Sequence, residues 1–400
     1  MNKMKLTEEQ FNIIENDGNI VVIAVPGSGK TTTITYKIQK ILLDILDYQG
    51  VIAISYTNKA SDELKERVSK IVPDIFNSFF GTIYSFYISE IIIPFSKYLF
   101  NIKDDLNVVS VDDIEETINL NNFSDNKEKI KFLVNKLKIG IVILECIPEL
   151  ANYIFDVSDD CKKYLKSRYT HIFIDEYQDC SSYQHEMFKK IVNLGIIGIA
   201  VGDPEQSIFK YSGSSPSFLI ELSELASFQL FNLSINHRSH QSIISYAYKF
   251  LSPSKTIEIP NEKRVYKCII NGDENYLSAY IDKLIPKIIT KFDVKENKDI
   301  AILTRNNSTA KLVFSKIATN SVYFSDTPID KSNQKHEVFT RLLLTYIFGN
   351  KDIYPENVIE SSYLEMKVRK KNKVIEEMIN LRKDYIDSNS IDENKIYLLL

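Results

Sequence analysis

Between Asn19 and Thr32 the chain reads NIVVIAVPGSGKTT, and no other stretch constrains the fold as strongly. Ile20 to Val25 is short, β-branched and uncharged, which predicts a strand covered on both faces, as in a parallel sheet. The loop after it carries Gly27 and Gly29 around Ser28, and glycine lets successive backbone N–H groups turn inward around an anion. Lys30 then sets a compact positive charge near the β- and γ-phosphates of a nucleotide, while the Thr31 hydroxyl is placed to ligate magnesium, with Thr32 beside it. Ile34, Ile38, Ile41, Leu42 and Ile45 recur at helical spacing, so a helix follows and its positive end adds to the anion site. Ala24 stands where the general phosphate-loop pattern has glycine. The strand before and the helix after carry the nucleotide reading over a purely structural turn.

Length and composition bound the rest. A chain of 400 residues predicts about two to three domains. With 44% hydrophobic and 26% charged residues it can bury sizeable cores. A net charge of −4 shows no global basic signature of nucleic-acid binding, although a basic groove can sit on an acidic protein. Cys146, Cys161, Cys180 and Cys268 lack the close paired spacing of zinc sites and read as reduced thiols. The N-terminus has no apolar signal core, and no apolar run approaches the roughly 18 residues of a membrane span, so a cytoplasmic protein is expected.

Further clusters lie at strand ends, where open α/β sheets place their ligands. Thr7 reads as a helix cap with Gln10 on the first turn; Gln10 is either a solvated helix residue or an amide able to read an adenine edge. The run VIAIS, 51–55, ends in Tyr56-Thr57-Asn58 before a charged helix; Tyr56 either stacks on a base or packs under the loop. Thr82 and Tyr84 sit in a second mixture of hydroxyls and aromatics. In HIFIDEYQD, 171–179, Asp175 and Glu176 end a buried strand: one can hold a magnesium-bound water, the other can orient and deprotonate the attacking water. The strand 196–201 leads to Gln206, whose amide can sense a γ-phosphate, and to Phe209 and Tyr211, rings that are either core or a stacking platform for bases. Arg238 follows another apolar strand and is either a surface residue or a cation that reaches a phosphate across a cleft. KDIAILTRNN, from Lys298, predicts a last strand in a second α/β region.

Set in order, LTEEQ, AVPGSGKTT, SYTNKASDELKERV, GTIYSF, DEYQDCSSYQ, GDPEQSIFKYSGS and LSINHRS resemble the motifs of superfamily 1 DNA helicases of the UvrD/Rep/PcrA type, over roughly residues 6 to 310. The resemblance implies two RecA-like P-loop domains with parallel sheets, each carrying a helical insertion, with ATP and Mg2+ between them. It implies that Lys30, Glu176, Gln206 and Arg238 run the ATPase and that Thr31 and Asp175 hold the metal. Gln10, Ala24, Gly27, Ser28, Gly29, Thr32 and His237 would complete the ATP site, and Tyr56, Thr57, Asn58, Thr82, Tyr84, Phe209 and Tyr211 would line a groove for single-stranded DNA. The implied parts are a first RecA-like domain in two pieces, 1–86 and 166–230, around a helical insertion, 87–165. An incomplete second domain, 231–340, and the start of a second insertion, 341–400, follow.

The chain departs from the family pattern in places. Tyr84 replaces a histidine, His237 replaces an adenine-stacking tyrosine, and Ser212 replaces an arginine after the second aromatic. The late motifs, with Thr-Ile-His, Lys-Gly and a second arginine finger, are not found, so either the chain is truncated near the second insertion or its second RecA-like domain is incomplete, and truncation is the expectation. Two activities compete. One is an ATP-dependent, 3′-to-5′ single-stranded DNA translocase or helicase in DNA repair or phage defence; the other is a nucleotide-gated DNA sensor that regulates a nuclease partner, as in Gabija-type phage defence. A small-molecule P-loop kinase lacks any acceptor pocket in the sequence.

Overall fold

The computed structural model describes residues 6–102, 106–111, 120, 123, 125–206, 215–251, 261–324, 335–349, 354–361 and 368–388. The chain divides into two compact units, 1–266 and 267–400.

The first unit opens with α1 (Glu8–Glu15), β1 (Ile20–Ala24), α2 (Lys30–Leu42), β2 (Gly50–Ile54), α3 (Asn58–Ser69) and β3 (Phe79–Gly81). Next, α4 (Ile83–Phe86) runs through a π-helical stretch, Tyr87–Ile92, into α5 (Ile93–Phe100). Then come β4 (Asn107–Val109), α6 (Asn126–Lys138), β5 (Ile141–Ile143), α7 (Ile147–Val157) and α8 (Asp159–Arg168). The unit closes with β6 (Tyr169–Ile174), α9 (Ser182–Asn193), β7 (Ile197–Gly202), α10 (Ser217–Glu224), β8 (Gln229–Leu233) and α11 (Gln241–Leu251).

Six of these strands form one sheet in the order β3-β2-β6-β7-β1-β8, and every neighbouring pair is parallel. All their C-terminal ends therefore share one edge. The apolar runs are continuous because both faces are covered. Side chains alternate along a strand, and here Val21, Ile52, Ile54, Ile172, Ile174 and Ala200 enter one core while Ile20, Val22, Ala24, Val51, Ala53, Phe173, Ile199 and Val201 enter the other. Each large side chain so buried contributes about 1.5–3 kcal/mol. The second core is closed by Ile13 of α1, Ile34, Ile38 and Ile41 of α2, and Leu64 and Val68 of α3.

The stretch expected as a helical insertion, 87–165, is helical with one addition: β4 and β5 pair in parallel as a separate two-stranded sheet. Its apolar side chains, such as Tyr87, Ile91, Leu133, Ile147 and Ile154, share one continuous core with the sheet residues. Glu90 is buried in this region, where its carboxylate accepts hydrogen bonds from the Arg168 guanidinium (2.9 Å) and the hydroxyls of Tyr164 and Tyr169 (2.8 Å each). Cys146, Cys161 and Cys180 are buried free thiols, each pushed up by burial, and Cys268 is free and exposed.

In the second unit the expected strand from Lys298 does not form. Residues 301–304 make no ladder, Leu303 is 92% exposed, and no strand occurs among the described residues of 267–400. An apolar run becomes a strand only when its backbone groups find a neighbouring strand. The described helices of 335–388 bury their own cluster, with Leu343, Val358 and Met378 at its centre. No helix among the described residues is long and apolar enough to cross a membrane.

Candidate functional site

The phosphate-loop segment folds as its residues dictate. Gly27 has φ +69° and Gly29 φ +87°, conformations that side chains disfavour, and Gly29 caps α2 without any side-chain bond. The first N–H groups of α2 are thereby left facing the loop. Ser28 is buried, and its hydroxyl has no hydrogen-bond partner among the described residues. The Thr31 hydroxyl likewise makes no hydrogen bond among the described residues, while its carbonyl accepts from Thr35. Thr32 follows in the first turn of α2. Ala24 ends β1 opposite Leu233, fully buried, so the departure from glycine there is absorbed by packing.

Two walls flank this loop. Gln10 is buried: its Oε1 accepts the Thr7 N–H and its Nε2 donates to the Ser28 carbonyl at 3.2 Å. The solvated reading of Gln10 therefore fails. Lys37 holds α1 in place, donating to the carbonyls of Ile14 and Asn16 from a buried position; burial, and then Lys40, push its amine down to about 8. The opposite wall is the segment after β8. The His237 N–H donates to the Gly27 carbonyl (2.9 Å), and a Cβ on Gly27 would lie 2.7 Å from the Arg238 Cβ and 2.8 Å from the Asn236 Oδ1. His237 and Arg238 are exposed, and the Arg238 guanidinium makes no ion pair among the described residues. Asn236 shapes this turn by accepting the N–H groups of Arg238 and Ser239, each at 2.8 Å.

Acidic chemistry comes from the end of β6. In the sheet, β7 lies between β6 and β1, so the two loops stand about 10 Å apart at strand spacing. The lysine side chain closes that gap: Lys30 Nζ donates to Glu176 Oε1 and Oε2 at 3.1 and 3.0 Å. Glu176 has φ +57°, a left-handed conformation rare outside glycine, and its N–H donates to the Asp175 carboxylate at 3.0 Å. Asp175 is pushed up to about 6, by burial first and by the Glu176 charge second, against the opposing pull of Lys30. Asp179 is also raised, by burial and then by Glu176, and its Oδ1 has no hydrogen-bond partner among the described residues.

Gln206 sits in a short turn after β7 and donates to its own neighbour, the Asp203 carboxylate, at 2.6 Å. Phe209 and Tyr211 lie outside the described residues. Tyr56 is 48% exposed just beyond β2. Thr57 and Thr82 each cap a helix, accepting the N–H of Ala60 and Ser85 respectively, and Asn58 is exposed at the first turn of α3. Tyr84 is half-buried against the first core, and its phenol is pushed up by burial and then by Glu149 and Tyr56. The structure thus brings Gln10, the loop, Asp175, Glu176, His237 and Arg238 to one sheet edge.

The sequence model of the UvrD/REP helicase N-terminal domain matches residues 6–143 and 110–227, together more than half of the chain. The chain belongs to the UvrD/REP helicase family. Among its relatives, Gabija protein GajB of Bacillus cereus (strain VD045) is 28% identical over 332 residues, covering 80% of this chain and 64% of that protein. ATP-dependent DNA helicase Rep of Buchnera aphidicola subsp. Schizaphis graminum is 26% identical over 388 residues, covering 80% of this chain and 58% of that one. The chain spans about half to two thirds of the length of the curated relatives it matches. A crystal structure of Pif1 helicase from Candida albicans overlays 64% of this chain and 45% of its own with 12% identity and a TM-score of 0.33, a level that carries no argument.

Within this UvrD/REP chain, four residues that organise the site escaped the sequence reading: Glu9, Lys37, Gln178 and Asn236. The Glu9 carboxylate accepts the Ser234 N–H (2.9 Å) and hydroxyl (2.5 Å), joining α1 to the far wall. Gln178 lies inside DEYQD and Asn236 two residues before Arg238, so both were legible as polar residues at strand ends. Glu9 and Lys37 sit on helices among other charges and carry no such signal.

Proposed function

We propose that this chain forms the ATP-hydrolysing part of a single-stranded DNA translocase or helicase moving 3′ to 5′. The observation that carries the reading is the Lys30–Glu176 contact, which joins the phosphate loop to the acidic end of β6 across β7. The residues present fit Mg-ATP: a glycine loop at a helix N-terminus, an orphaned Ser28 hydroxyl, an unbonded Thr31 hydroxyl and the Asp175 carboxylate. When bound, the metal neutralises phosphate charge and polarises the γ-phosphoryl group.

The chain's own residues supply the rest. Lys30 would exchange its contact with Glu176 for phosphate oxygens, which frees the Glu176 carboxylate to orient the attacking water and take its proton. Thr31 and Asp175 would hold the metal, Gln206 would report the γ-phosphate and Arg238 would neutralise charge at it. Gln10 and His237 stand on the two walls where an adenine edge would lie. Tyr56 and Tyr84, with Thr57, Asn58 and Thr82, would face the DNA strand; Phe209 and Tyr211 would stack on bases.

The similarity to a Gabija protein favours a setting in phage defence with a nuclease partner. In that setting the chain would act as a DNA-gated ATPase. Hydrolysis with and without single strands, and unwinding of a 3′-tailed duplex, test both readings. Strand-stimulated hydrolysis with unwinding supports the translocase, and stimulated hydrolysis without unwinding supports the sensor. Hydrolysis by Lys30→Ala equal to that of the wild type overturns both.

A further inference from the structure

Gln178 is 2% exposed, yet both ends of its side-chain amide are used. Its Nε2 donates to Glu176 Oε2 at 2.7 Å, and its Oε1 accepts the Asp203 N–H at 3.0 Å. The partners dictate this orientation: a carboxylate can only accept and a backbone N–H can only donate, so the flipped amide would lose both bonds. Space for the amide comes from the last residue of β7. A Cβ on Gly202 would lie 2.5 Å from Gln178 Oε1. Beyond Asp203 the same thread continues, because its carboxylate accepts the Glu205 N–H (3.0 Å) and the Gln206 Nε2 (2.6 Å).

The left-handed backbone at Glu176 makes this contact consequential. Strained residues keep their geometry only where their surroundings over-determine it. In the structure, Lys30 and Gln178 hold the carboxylate together. Once Lys30 turns to phosphate, Gln178 is the side-chain hydrogen bond to that carboxylate that remains among the described residues.

We propose that Gln178 is a positioning residue: it aims the Glu176 carboxylate and ties it to the turn at 203–206, so the competence of Glu176 follows the position of that turn. This rests on the reading of Glu176 as the base that activates water. Gln178→Glu is the informative change. It keeps the size and the acceptor for Asp203, but replaces the donor to Glu176 with a second carboxylate.

The experiment measures steady-state ATP hydrolysis by the full chain with saturating oligo-dT across the pH range, alongside thermal melting and binding of a fluorescent ATP analogue. For Gln178→Glu, kcat at about pH 8 is expected to fall about 10- to 100-fold, the worth of a hydrogen bond to a charged group, with KM changed by less than about threefold. Gln178→Leu, which removes the donor without adding a charge, should be impaired as well. In a Glu176→Gln background, adding Gln178→Leu should cost less than about threefold, since residues that act through one another are not additive. Wild-type kcat in both Gln178 variants, or a fully additive loss of the residual activity in that background, overturns the proposal while Lys30→Ala and Glu176→Gln remain strongly impaired. Full hydrolysis by Lys30→Ala and Glu176→Gln overturns the site reading itself, and the proposal with it.

Discussion

Asp175 sits where its charge is least welcome, and the cost can be worked out. Its carboxyl is raised from 3.8 to about 6, by burial and then by Glu176. A shift of about two units at about 1.36 kcal/mol each means that the ionised side chain destabilises the fold by about 3 kcal/mol without a bound cation. Asp175→Asn keeps the size and the acceptor for the Glu176 N–H while removing the charge. The variant should therefore be more stable than the wild type by up to about 3 kcal/mol at about pH 8, or about 5–10 °C in melting temperature for a unit of this size. It should also fail to hydrolyse ATP. The sign follows from linkage. The folded-state pKa lies above the unfolded one, so the penalty is full above about pH 6, shrinks as pH falls from about 6 to about 4, and vanishes below that. Urea titrations of both proteins in EDTA at several pH values read this directly. An Asn variant no more stable than wild type at about pH 8, or equally stabilised at about pH 4, would refute the reasoning.

Two further outcomes follow from contacts elsewhere in the first unit. Gly27→Ala places a methyl group 2.7 Å from the Arg238 Cβ at φ +69°, and it should lower stability by about 1–3 kcal/mol and weaken binding of a fluorescent ATP analogue; a wild-type melting curve would show that the segment after β8 does not press on the loop. Glu90→Ala leaves Arg168, Tyr164 and Tyr169 without their shared acceptor and should cost about 3–5 kcal/mol, with Glu90→Gln milder because it retains an acceptor; equal unfolding midpoints for the two variants would contradict the bonding seen at that carboxylate.

Much of this protein was legible in the sequence because the relevant physics is local. A β-branched run before a glycine loop and an amphipathic helix predicts β1 and α2 from neighbouring residues alone, and the acidic pair after Ile174 predicts where carboxylates collect. Thr7 announces a helix start through its own hydroxyl, while the capping by Thr57 and Thr82, expected as DNA contacts, came only with the structure. What failed was the strand from Lys298, since a strand needs a partner that its own residues cannot specify.

The tertiary structure decided everything that depends on strand order. Only the placement of β7 between β6 and β1 sets Lys30 against Glu176, 146 positions apart in the chain, and brings Gln178 to the Asp203 N–H past a glycine. The sequence by itself determined a strand, a glycine loop and a helix at Asn19–Thr32. It could not determine that burial and Glu176 would raise Asp175, or that Asn236 and Arg238 would crowd Gly27, because desolvation and close approach arise only when distant segments share one sheet edge.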